Sequence, residues 1–139
     1  MDKIKIDTAA APAAIGPYAQ ANAYGDLIFV SGQLPIDPAT GAFAGEDIEA
    51  QTDRSLKNIA AILEAAGSSM KNVLKTTVFL SNIDDFAAMN AVYAGFFDPE
   101  APPARAAVEV ARLPKGALVE IEAVAFGGLS EPGSCRQNR

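Results

Sequence analysis

"NVLKTTVFLS" (residues 72–81) decides the fold, because its run of β-branched and aromatic residues has the composition of a strand and follows directly on a helical pattern. In residues 46–66, Ile48, Leu56, Ile59, Leu63 and Ala66 recur at three- and four-residue steps, which gathers them on one helical face. Glu46, Asp47 and Glu49 suit the positive end of that helix as capping and solvating groups, and Gly67 supplies its stop. Before the helix, "AYGDLIFVSGQ" (23–33) reads as strand, turn at Gly25-Asp26, and strand, with "IKI" (4–6) as an earlier strand. Strand, helix, strand is the signature of a parallel crossover, since parallel neighbours need a long return connection.

Beyond residue 81 a second helix is expected over 84–97, burying Phe86, Met89, Tyr93 and Phe96 on one stripe and ending at Pro99. The last structured segment, "ARAAVEVARLPKGALVEIEAVAF" (104–126), reads as two strands folded on a turn at "LPKG" (113–116). Two helices alternating with strands predict an α+β domain, with both helices on one face of a mixed sheet. The other face carries too many apolar side chains to stay in water, so a homo-oligomer packing sheet on sheet is expected.

Composition narrows the functions. The 139 residues fit one domain, expected over 1–126, and half of them are hydrophobic, enough for a core. Past Gly127 the periodicity stops, and 127–139 reads as a polar, fraying tail carrying the sole cysteine, Cys135, as an inert exposed thiol. No apolar run is long enough to span a bilayer, so no membrane partner is expected. The first twenty residues lack the pattern of a signal peptide, which points to the cytoplasm. A net charge of −6 without a basic cluster argues against nucleic acid. With no histidine there is no conventional triad and no usual zinc set; no metal and no organic cofactor are expected.

The final segment threads Arg105, Glu109, Glu120 and Glu122 through apolar sequence. In a hairpin centred on Pro114-Lys115, Arg105 lies opposite about Val124, roughly 13 to 17 Å along the strand from Glu120, too far for a salt bridge. Two readings stand. The charges are ordinary cross-strand or interface ion pairs, or they are pocket groups: a guanidinium holding a small carboxylate through two parallel hydrogen bonds, and a glutamate positioning or deprotonating a water. Tyr18 after Gly16-Pro17, and Ser31-Gly32 at a strand end where backbone N–H groups can approach a ligand, are further candidates. Asn90, off the apolar stripe of its helix, and Pro114 at the rim complete the set.

Four segments in order, "APAAIGPYAQA" (11–21), "IFVSGQLPIDPATG" (28–41), "NVLKTTVFLSNIDDFAAMN" (72–90) and "PPARAAVEVARLPKGALVEIEAVA" (102–125), resemble the RidA (YjgF-type) reactive-intermediate deaminase family over nearly the whole domain. The resemblance implies a chorismate-mutase-like α+β fold and a homotrimer, its sheets forming a central barrel with helices outside and three clefts between subunits. It implies hydrolysis of enamines and imines such as 2-aminoacrylate, 2-iminopropanoate and 2-iminobutanoate, released by pyridoxal-phosphate enzymes, to 2-ketoacids and ammonia without metal or cofactor. Arg105 would clamp the substrate carboxylate and Glu120 would orient and activate water, with Tyr18, Ser31, Gly32, Asn90, Ala107 and Pro114 lining the site. A larger substrate such as 2-aminomuconate, non-catalytic 2-ketoacid binding or chaperone-like action, and ribonuclease or translation inhibition, which the acidic balance and lack of histidine weigh against, are the alternatives. Two features depart from the family: a tail running past the usual end, and Ala107 where many members have cysteine, which keeps a backbone N–H but no thiol.

Overall fold

The structure, a computed structural model, describes residues 2–127. The tail expected at 127–139, with Cys135, lies outside the described residues except for Gly127. Six strands, β1 (Ile4–Ile6), β2 (Ala21–Tyr24), β3 (Leu27–Gln33), β4 (Val73–Leu80), β5 (Ala104–Glu109) and β6 (Val119–Phe126), form one sheet in the order β1-β2-β3-β6-β4-β5. Two helices, α1 (Ile48–Ala65) and α2 (Phe86–Ala94), complete the expected α+β domain.

Local chemistry sets the first helix as the sequence predicts. Asp47 is its N-cap, with Oδ1 accepting from the Ala50 N–H at 2.7 Å, and Gly67 turns the chain out of it at φ 76°. Leu56, Ile59, Ile62 and Leu63 are fully buried on the face turned to the sheet. Each such side chain contributes about 1.5–3 kcal/mol through burial. The second helix is shorter than its pattern, because a 3-10 turn (Ile83–Asp85) takes its first residues. Met89 and Tyr93 are buried as expected, whereas Phe86 and Phe96 are only half-buried.

β3 and β4 are parallel with β6 inserted antiparallel between them, so the first helical connection is the crossover that 72–81 predicts. The final segment differs from its expectation. β5 and β6 are not hairpin partners: β5 pairs parallel with β4 at the sheet edge, while β6 pairs antiparallel with β3 and β4. The "LPKG" turn does form, as a 3-10 turn (Pro114–Gly116) with Lys115 left-handed at φ 58°, but it carries the chain past β4. The reason is local to β4: Thr76, Val78 and Leu80 are buried on the helix side, and both edges of the strand hold partners, which excludes direct β5–β6 pairing.

Alternation fixes the two sheet faces. Arg105, Ala107 and Glu109 sit beside Thr76, Val78 and Leu80 on the helix side. Glu120, Glu122, Val124 and Phe126 occupy the opposite, open face, together with Leu27 and Phe29 of β3. There Leu27 pairs with Phe126 and Phe29 with Val124, and Leu27, Phe29 and Phe126 are 41–49% exposed, a contiguous apolar patch.

Candidate functional site

The candidate residues separate into two groups. On the open face, a cavity of about 660 Å³ brings together Tyr18, Ser31, Gly32, Pro114 and Glu120, with Glu122 and Lys115 also on its wall. Arg105, Asn90 and Ala107 are not part of it; they lie on the helix side of the sheet edge.

An irregularity in the β3–β6 register between Val30 and Gln33 leaves Ser31 and Gly32 off the regular ladder, facing the cavity. Ser31 is tied down, its N–H donating to the Gln20 carbonyl at 2.9 Å and its hydroxyl to the Ala19 carbonyl at 2.6 Å. Gly32 makes room for Glu120, whose carboxylate occupies the space a side chain would need. Burial holds the Glu120 carboxyl above the usual carboxylate range, and the neighbouring Glu122 charge pushes it the same way.

The loop that walls the cavity with Pro12, Ala13 and Ile15 is organised by Gln20, a residue that sequence reasoning did not single out. Its buried amide accepts from the Thr8 N–H at 2.8 Å and donates to the Thr8 and Pro12 carbonyls at 3.0 and 2.8 Å. A lone glutamine before a strand carries no sequence signal for that task. Tyr18, 55% exposed, follows the turn at Gly16, where φ is 128°.

The second group is built around Arg105. One guanidinium nitrogen donates to Asn90 Oδ1 at 2.6 Å, and its central carbon lies 4.7 Å from the Tyr93 ring centroid and 5.4 Å from that of Phe86. Among the described residues the ion pair within 4.0 Å joins Lys57 to Asp53, so Arg105 has no carboxylate partner there. Glu109 has a separate structural task, accepting the Ile83 N–H at 2.9 Å at the entry to the 3-10 turn. The reading of the strand charges as ordinary ion pairs is thus not met within this part of the chain.

Arg105 and Glu120 are separated by β4 and offset by three residues, since Thr76 is paired with both Arg105 and Ala123. Two strand spacings and three residue steps put their backbones about 14 Å apart, on opposite faces of the sheet. The sequence expectation that they cannot meet within one chain agrees with this geometry, although the hairpin from which it was argued does not exist.

The sequence profile of the family described as endoribonuclease L-PSP matches residues 8–126. The chain belongs to this family, known also as RidA or YjgF. A 2-iminobutanoate/2-iminopropanoate deaminase of Salmonella typhimurium is 52% identical over 122 residues, 86% of this chain and 94% of that protein. The crystal structure of the Escherichia coli YjgF gene product is similar with a TM-score of 0.83 at 49% identity, covering 88% of this chain and 97% of that one. Escherichia coli TdcF, solved with bound serine, matches with a TM-score of 0.83 at 45% identity over 88% of this chain and 97% of its own. The α+β fold of the RidA family is therefore the fold of this chain.

Proposed function

We propose that this RidA-family protein hydrolyses small 2-imino and 2-enamino acids to 2-ketoacids and ammonia, in clefts between the copies of a homotrimer. The observation that carries the reading is Arg105: an exposed guanidinium on the sheet edge, backed by two rings and one amide, with no carboxylate partner among the described residues. It suits a carboxylate from outside the chain, held through two parallel hydrogen bonds. The Salmonella relative's name and the serine bound to TdcF are consistent with a small amino-acid-derived ligand.

Glu120, from a neighbouring copy, supplies the proton relay. Its carboxylate takes a proton from water as the oxygen attacks the imine carbon. It then passes that proton to the nitrogen, giving the carbinolamine; as the C–N bond breaks and the ketone forms, the same carboxylate takes the hydroxyl proton and hands it to the departing nitrogen, which leaves as ammonia. An imine carbon is already electrophilic, so orientation and one relay suffice. A carboxyl held above its usual range is well matched to both halves of that exchange. Tyr18, Ser31, Gly32 and Pro114 shape the Glu120 side of the cleft, and Asn90 and Ala107 the Arg105 side. The imines would come from pyridoxal-phosphate enzymes in the cytoplasm, and no helix among the described residues is long and apolar enough to cross a membrane.

The test mixes the protein with a serine or threonine dehydratase, its substrate and semicarbazide, and follows semicarbazone formation. Suppression of the trapped imine, lost in Arg105→Ala, is expected. Trapping unchanged by the wild-type protein rules the reading out, and 2-ketobutyrate binding without turnover would convert it to ligand sensing.

A further inference from the structure

We propose that Tyr93 and Thr76 are positioning residues for Arg105: the Tyr93 ring, pinned at its hydroxyl by Thr76, sets the direction of the guanidinium. The inference rests on the reading of Arg105 as a carboxylate clamp. An exposed arginine loses rotamer entropy on ordering, so a clamp ordered beforehand binds more tightly than a free one.

Four contacts form a closed circuit. The central carbon of Arg105 lies 4.7 Å from the Tyr93 ring centroid, within the range of a cation–ring attraction. The Tyr93 hydroxyl and Thr76 Oγ1 are 2.7 Å apart, in the buried space between α2 and β4. Thr76 is the β4 residue in direct register with Arg105 on β5. Asn90, one helical turn before Tyr93, then receives the guanidinium at 2.6 Å. The ring is braced from behind by Phe97, with centroids 4.7 Å apart and planes tilted by 43°.

Satisfying buried polar groups does not by itself account for the Tyr93–Thr76 pair. Phenylalanine and valine would fill the same space with no polar group to satisfy, and replacing both partners of a buried hydrogen bond with apolar groups of the same shape is nearly neutral. What the hydroxyl pair adds is a fixed rotation and depth of the ring, referenced to the strand position beside the arginine it supports. Sequence reasoning places Tyr93 on the buried stripe of its helix, which is correct and hides the second use of its ring face.

The experiment compares wild type with Tyr93→Leu and with the double variant Tyr93→Phe/Thr76→Val, which removes both hydroxyls and keeps a ring. Side-chain NMR of the Arg105 Nε–Hε group reads guanidinium placement without any ligand, and calorimetry reads the affinity for 2-ketobutyrate and for its primary amide. In both variants the Arg105 resonance is expected to move away from its ring-shifted position and broaden. Affinity for 2-ketobutyrate should fall about 5- to 30-fold in Tyr93→Leu and about threefold in the double variant, with the amide unaffected. In turnover, KM should rise by the same factor with kcat nearly constant.

If Tyr93→Leu does not fold, the double variant decides. An unmoved Arg105 resonance with unchanged affinity in the double variant overturns the proposal, as does an equal loss for the amide. A wild-type protein that binds no 2-ketobutyrate and turns over no imine, but whose Arg105 resonance shifts in the double variant, sinks the proposed function and leaves the positioning of the guanidinium supported.

Discussion

A Cβ atom at position 32 would lie 2.6 Å from Oε2 of Glu120, so the bare backbone of Gly32 is what allows this carboxylate its place. Gly32→Ala should move the Glu120 side chain while leaving the sheet intact, because the obstructing atoms are the end of a flexible chain. With a displacement near 1 Å, imine hydrolysis is expected to fall by about 10²-fold. The trapping assay measures the rate, and an unchanged far-UV circular dichroism spectrum establishes that the fold survives.

Glu120→Gln should make the protein more stable and less active at once. The raised carboxyl means that the native chain keeps its proton at pH values where the unfolded chain has released it. Stability from this group is therefore fully present below the ordinary value of 4.5 and is lost as pH rises through the native value. Around neutral pH the ionised side chain works against folding, and glutamine removes that penalty. Thermal unfolding at pH 7 should occur at higher temperature in the variant than in wild type, the two converging below pH 4.5. Hydrolysis should fall about 10²- to 10⁴-fold, as expected for loss of a general base.

Arg105→Ala and Glu120→Ala should each be inactive alone and should partly rescue each other. If a cleft takes its arginine from one chain and its glutamate from the next, random reassembly of equal amounts restores about one quarter of the sites. The check is to co-refold the two variants and assay the mixture. No recovery above the separate variants would place both groups in clefts that this pairing does not describe.

Phe29→Asp should disperse the assembly. Phe29 is 49% exposed and paired with Val124 in the middle of the apolar open face. A carboxylate buried there in an interface would cost several kcal/mol without a partner. Light scattering should show the mass of three chains for wild type and of one for the variant, with imine hydrolysis lost alongside.

Much of the fold is legible in the sequence because its signals are local. The 3.6-residue stripe through Leu56, Ile59 and Leu63, the Asp47 cap and the Gly67 stop each act within a turn or two of the chain, and each is found where the pattern puts it. The pairing of β5 is not legible in the same way. "LPKG" signals a change of direction, and it does turn, but a turn does not name the strand that the chain will meet afterwards. That choice was made by β4, whose edge was open to β5 through the preceding helical connection. In the candidate site, alternation correctly assigns Arg105, Ala107 and Glu109 to one face and Glu120 and Glu122 to one face, yet cannot say that the two faces are opposite. Gln20 and the Arg105–Tyr93 contact depend on long-range packing and have no sequence signature.

The placement of Arg105 and Glu120 on opposite faces has a kinetic consequence. If the proposed cleft takes Arg105 from one copy and Glu120 from the next, a newly synthesised chain that has folded correctly would carry both groups and still have no complete cleft, and activity would arise as a second event whose rate depends on encounter. After refolding from denaturant, helical signal should return at a rate independent of protein concentration. Hydrolysis should trail behind it, by a lag that shortens as the chains are made more numerous.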